Sequence, residues 1–137
     1  MYLLDTNIVS ELRKPKPHGG VLAWIRTVPD SSLFISAVTL GEIQRGIERI
    51  RPRDPGKAAA LDGWADDIAA NSNILPMTGP IFRLWAKLMQ RRVEQLYEDT
   101  MLAATAAVHG PTVATRNVRD FTGVDVLVTN PFEYAEP

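Results

Sequence analysis

The stretch Tyr2-Leu3-Leu4-Asp5-Thr6-Asn7-Ile8-Val9-Ser10-Glu11-Leu12-Arg13 changes character at Asp5. Tyr2–Leu4 is a short apolar run that suits a buried strand, and Thr6–Arg13 has helical spacing. The same alternation continues outward from this unit. Pro15-Lys16-Pro17-His18-Gly19-Gly20 reads as a loop, followed by a helical stretch around Val21–Val28. Leu33-Phe34-Ile35 is a second strand. Ser36 is a good N-cap for the helix after it, where Leu40, Ile43, Ile47 and Ile50 recur at helical spacing. Asp54-Pro55 combines an N-cap with proline at the first helical position and predicts a helix to about Ala70. Ile74-Leu75 is a third strand, and Thr78 with Pro80 opens a helix through about Val93. A last long helix runs from Asp99 to His109 and stops at Gly110-Pro111. Thr112–Thr115 and Val126–Val128 complete the strands. Short apolar strands alternating with helices predict an α/β fold whose parallel sheet is covered on both faces.

The chain has 137 residues, enough for one domain over 1–137 with its own core and too few for two. There are no cysteines, which excludes disulfides and cysteine–zinc sites and fits a reducing compartment. The first residues lack the basic start and long apolar run of a secretory signal, and no stretch is apolar enough to span a bilayer. The expectation is a cytoplasmic protein without a membrane partner. Net charge is −1, so bulk electrostatics do not mark a polyanion binder. Basic residues nevertheless come in runs: Arg45, Arg49, Arg51, Arg53 and Lys57; Lys87, Arg91 and Arg92; Arg13, Lys14 and Lys16. Each run reads as a solvated face unless several converge on one groove.

The chemistry lies in the carboxylates. Ligands of open parallel sheets bind beyond the carboxyl ends of the strands. Asp5 directly follows the first strand, and Asn117 and Asp120 follow Thr112–Thr115. Asp99 opens the last helix, and Glu42 lies one to two turns into the helix after the second strand. Each has a simpler reading. Asp5 and Asp99 suit helix N-termini, Glu42 falls on the flank of its apolar stripe within reach of Arg45 or Arg49, and Asp120 suits a turn before Phe121. Asp99, however, shares a face with Leu102 and Ala106 in a helix that is apolar nearly all round, so its carboxylate needs a partner. Two like charges about 5 Å apart repel by about 3 kcal/mol at an effective dielectric near 20. Several carboxylates in one pocket therefore call for a divalent cation, and an all-oxygen donor set suits Mg²⁺ or Mn²⁺. Such an ion is a common aid to phosphodiester hydrolysis. His18, in the loop, and His109, at a helix end, form no evident acid–base pair for metal-free chemistry.

Four ordered segments carry a resemblance: residues 3–12; Ile35-Ser36-Ala37-Val38-Thr39-Leu40-Gly41-Glu42-Ile43; Glu98-Asp99-Thr100-Met101-Leu102-Ala103-Ala104-Thr105-Ala106; and Val108-His109-Gly110-Pro111-Thr112-Val113-Ala114-Thr115-Arg116-Asn117-Val118-Arg119-Asp120-Phe121. With the ending Val128-Thr129-Asn130-Pro131-Phe132, they resemble the PIN-domain ribonucleases, in particular the VapC- and FitB-type toxins of toxin–antitoxin pairs. By that resemblance Asp5, Glu42 and Asp99 take the acidic metal-site positions. Asp5 and Asp99 would be direct ligands of Mg²⁺ (or Mn²⁺). Glu42 would hold a second ion, bind through water or orient the attacking water. The fourth acidic position of the family often falls where this chain has Asn117, with Asp120 three residues further on. Thr6, Asn7 and Thr115 would orient the carboxylates. The resemblance also implies a three-layer α/β/α fold with about five parallel strands, and a homodimer. The implied partner is a VapB-like antitoxin that contacts operator DNA itself, and the implied substrate is RNA, cut to leave a 5′-phosphate and a 3′-hydroxyl. Trp24, Trp64 and Trp85 are candidates for base stacking or, among their apolar neighbours, for core packing. Two other classes stay open: a non-toxin nuclease of RNA or DNA processing, and a catalytically weak domain acting through its antitoxin on operator DNA.

Overall fold

The computed structural model describes residues 1–137, and the strands gather into one five-stranded sheet. The strands are β1 (Tyr2–Leu4), β2 (Leu33–Ser36), β3 (Asn73–Leu75), β4 (Thr112–Ala114) and β5 (Val128–Thr129). Their order is β3-β2-β1-β4-β5 and every pairing is parallel. Leu3 lies opposite Phe34 on one side and Val113 on the other, so β1 is central. The chain builds outward from β1 through β2 and β3, then returns to place β4 on the other side. That reversal separates the connections that leave the carboxyl ends of β1 and β4, and it opens a crevice there.

Six helices cover the sheet: α1 (Thr6–Arg13), α2 (Gly19–Ile25), α3 (Ala37–Ile50), α4 (Pro55–Asn71), α5 (Gly79–Met89) and α6 (Tyr97–His109). Alternation along the strands sends successive side chains to opposite faces, and each face has its own core. Leu4, Ile35 and Ala114 pack with Ile8, Val9, Val21, Trp24, Ile43, Ile47 and Leu61 from α1 to α4. Leu3 and Val113 face the other way, against Leu102, Ala103 and Ala106 of α6 and Phe121. The result is the expected three-layer α/β/α arrangement. No helix is long and apolar enough to cross a membrane.

The helix starts follow the predicted caps. Ser36 Oγ accepts from Val38 N–H, an Asp54 carboxylate oxygen from Lys57 N–H, and Thr78 Oγ1 from Ile81 N–H. α6 ends at Gly110, whose φ of 91° is the left-handed conformation that closes a helix. Boundaries differ by more than one residue in four places. α2 starts at Gly19 and ends at Ile25, because His18 Nδ1 accepts from Gly20 N–H and caps the helix from inside the expected loop. α5 stops at Met89 rather than Val93. α6 begins at Tyr97, so Asp99 sits within its first turn instead of opening it. The last strand is Val128–Thr129, shifted from Val126–Val128 by a turn in which Val126 N–H donates to the Val124 carbonyl.

The tryptophans divide. Trp24 is buried, edge-on to Tyr2 at 5.1 Å. Trp64 is half-buried beneath the Arg13 guanidinium at 5.5 Å. Trp85 lies between α5 and α6, its indole N–H donating to the Tyr97 carbonyl. Only Trp24 is enclosed by the core; Trp64 and Trp85 are partly exposed.

Candidate functional site

Asp5 is the anchor of the crevice. It lies one residue past β1, is only 4% exposed, and has its backbone tied to β4 by its N–H to the Ala114 carbonyl at 2.9 Å. Three groups address its carboxylate. Thr6 N–H donates to Oδ1 at 2.7 Å, while Thr115 Oγ1 at 2.7 Å and Asn7 Nδ2 at 3.2 Å donate to Oδ2. The first of these makes Asp5 the N-cap of α1, so its capping role and its place in the crevice are served by different oxygens. Thr115 is fully buried one residue past β4, and its Oγ1 also accepts from Asn117 N–H at 2.9 Å. Sheet order thus brings the ends of β1 and β4 into one hydrogen-bonded unit.

Glu42 reaches the same unit from α3. Thr6 Oγ1 donates to its Oε1 at 3.0 Å and lies 3.3 Å from Oγ1 of the buried Thr39. The surface pairing with Arg45 does not form; Arg45 approaches Glu98 instead, at 3.5 Å. Asp99 comes from the first turn of α6, and the carboxyl of Asp120 lies in hydrogen-bonding contact with it. Asn117 is exposed on the rim and joins the network through its main chain alone.

The electrostatics follow from burial and like charge. Burial pushes the Asp5 carboxyl above the ordinary aspartate value, outweighing the hydrogen bonds from Thr115, Thr6 and Asn7 that favour its charged form. Glu42 is raised by burial first, against the Thr6 hydrogen bond, and further by the charges of Asp5 and Glu98. Asp99 is pushed up to about 7 by burial, then by Asp5, by its contact with Asp120 and by Glu42. Neither Asp5 nor Asp99 is ion-paired with lysine or arginine. No three acidic or histidine side chains already enclose one point. The donor set is therefore an open, all-oxygen one, in which one or two carboxylates would be supplemented by water and phosphate. That is how Mg²⁺ is commonly held, and the residues fit such an ion.

These features place the chain among known proteins. The PIN domain family model matches residues 2–127. The chain belongs to the PIN-domain family. Two relatives align with this chain over nearly their whole length. Toxin FitB of Neisseria gonorrhoeae is 30% identical, over 96% of this chain and 99% of FitB. VapC ribonuclease Y4jK of Sinorhizobium fredii is 33% identical, over 98% of this chain and 100% of the relative. Among solved structures, FitAB bound to an IR36 DNA fragment contains a chain that superposes with a TM-score of 0.73 at 30% identity, covering 99% of each.

Sequence reasoning missed three contributors to this PIN-domain site. Arg92, read as part of a solvated basic run, turns inward from the α5–α6 connection. It donates to Thr100 Oγ1 at 2.8 Å, to the Thr122 carbonyl at 3.3 Å and to the Asp120 carbonyl, clamping the Asp120 turn to α6. Thr39 carried no signal beyond its place in the second motif. Arg116, inside the last motif, is tied to Asn7, whose Oδ1 accepts from its N–H at 3.1 Å.

Proposed function

We propose that this PIN domain, spanning residues 1–137, is the toxin of a toxin–antitoxin pair and acts as a divalent-metal-dependent endoribonuclease. The observation that carries the reading is the convergence of Asp5, Glu42, Asp99 and Asp120 from four segments without a cationic side chain paired to Asp5 or Asp99. The names of FitB, a toxin, and Y4jK, a VapC ribonuclease, support the same class of activity.

Asp5 and Asp99 would hold Mg²⁺ or Mn²⁺. Bound there, the ion supplies charge neutralisation, polarisation of the phosphoryl group and a more acidic attacking water. Glu42 and Asp120 would be the carboxylates placed to accept hydrogen bonds from the attacking water and orient it. Thr6 fixes the Glu42 carboxylate, and Thr115 and Asn7 fix that of Asp5, so neither rotates away when substrate arrives. Hydrolysis leaves a 5′-phosphate and a 3′-hydroxyl. Asn117 adds no charge, and the reading of an inactive domain rests on that lack; Asp120 beside Asp99 supplies the fourth carboxylate. In line with the FitAB–DNA assembly, the partner is a VapB-like antitoxin that contacts operator DNA itself, and the toxin would pair as a homodimer.

The test uses labelled RNA and DNA with the purified chain, in Mg²⁺ and in EDTA, beside Asp5→Asn and Asp99→Asn. RNA cleavage only with Mg²⁺, and in neither variant, is the expected result. Cleavage that survives EDTA or both substitutions overturns the reading, and preferential cutting of DNA moves it to a DNA nuclease.

A further inference from the structure

A polar cleft of about 530 Å³ opens beside Asp120, lined by Arg116, Asn117, Arg119 and Asp120 with Asn130 and Glu133 from the C-terminal segment. We propose that this cleft is a subsite for the RNA backbone flanking the scissile phosphate, read by Arg116 and Arg119. The inference rests on the ribonuclease reading and adds to it where the strand runs.

Charge is the first reason. Arg116 and Arg119 are exposed and, like most basic residues of the chain, make no ion pair; what sets them apart is that both line a cleft that reaches Asp120. Position is the second. The Arg116 guanidinium rests 4.7 Å above the Phe132 ring, and the residue's main-chain N–H donates to Asn7 Oδ1 at 3.1 Å. Asn7 in turn donates to Asp5, so a cation is set in fixed register with the carboxylate cluster. Asp120 belongs to both the cleft and the cluster, which makes the two continuous. Chemistry is the third. Guanidinium forks suit phosphate, and the Asn117 amide, which makes no hydrogen bond within the protein, is free for a 2′-hydroxyl. Phe132 is covered by Arg116 on one side and lies 5.0 Å from the His18 ring, so it is not open to a base. The cleft therefore reads backbone rather than sequence. Glu133 opposes a phosphate and confines it to the arginine side.

The full-length chain and its Arg116→Ala, Arg116→Lys, Arg119→Ala and Glu133→Gln variants would be assayed on a labelled single-stranded RNA oligonucleotide. Cleavage gives kcat and KM in Mg²⁺, and anisotropy in an Asp99→Asn background gives affinity against salt. Each arginine-to-alanine change is expected to raise KM about tenfold, to leave kcat within about twofold, and to reduce the salt slope by about 0.7. Arg116→Lys should recover part of the loss, and Glu133→Gln should lower KM. Unchanged KM and salt slope in a chain that cleaves RNA overturn the subsite. So does an effect confined to inhibition by the antitoxin, which would assign the cleft to that partner. If the wild type cuts no RNA, the nuclease reading falls, while arginine-dependent RNA binding by anisotropy would still support the cleft.

Discussion

Asp99→Asn should stabilise the metal-free protein while abolishing RNA cleavage. In the unfolded chain Asp99 ionises near 3.8, and in the fold near 7, because burial and the charges of Asp5, Asp120 and Glu42 oppose its ionisation. Between those values the folded state holds the additional proton, so wild-type stability falls as pH rises from about 4 to about 7 and then levels off. The full difference corresponds to an upper bound of about 4 kcal/mol. Asp99 is only half-buried and water screens its neighbours, so about 1–2 kcal/mol is the expected gain. For a chain of this size that is about 3–8 °C in Tm. Asparagine keeps the shape and removes the charge, so the advantage should be absent at pH 4, grow through pH 5–7 and be complete at pH 8. Calorimetry in EDTA across that range measures it. Saturating Mg²⁺ should then raise the wild-type Tm and leave Asp99→Asn nearly unmoved, since only the wild type gains by mass action. An Asp99→Asn protein no more stable than wild type at pH 8 would refute the claim that Asp99 is held against like charges.

Other consequences follow from the hydrogen bonds around the cluster. Thr6→Val removes the donor to Glu42 Oε1, and RNA cleavage should fall about 10–100-fold with little change in Tm. Thr115→Val leaves buried Asp5 with one donor fewer and frees Asn117 N–H; it should lower stability by about 1–3 kcal/mol in urea unfolding and raise the Mg²⁺ concentration for half-maximal activity. Arg92→Ala unpins the Asp120 turn from Thr100 and should reduce kcat more than KM, with hydrogen exchange accelerating at residues 117–122. Unchanged kcat and exchange in that variant would show that the clamp does not position Asp120.

Much of this was legible in the chain. Short apolar runs beside Ser36, Asp54-Pro55 and Thr78 announced strand–helix units, because caps and period act locally. Asp5, Glu42 and Asp99 were legible as candidates since each follows a strand or lies on a helix with an apolar face. Strand order was not, because register between distant strands leaves no local trace; yet it is the β1–β4 adjacency that brings Thr115 to Asp5. The choice between Asn117 and Asp120 was also hidden. A 3-10 turn at Val118–Phe121 carries Asp120 back toward Asp99 and leaves Asn117 on the rim, a geometry helical spacing does not convey. Arg92 looked solvated because inward and outward arginines share the same composition.

The most direct measurement is anomalous diffraction from crystals of the protein soaked in Mn²⁺. A manganese peak held by Asp5 and Asp99, with Glu42 or Asp120 joined to it directly or through water, is the predicted result. Manganese bound elsewhere, with those carboxylates free, would contradict it.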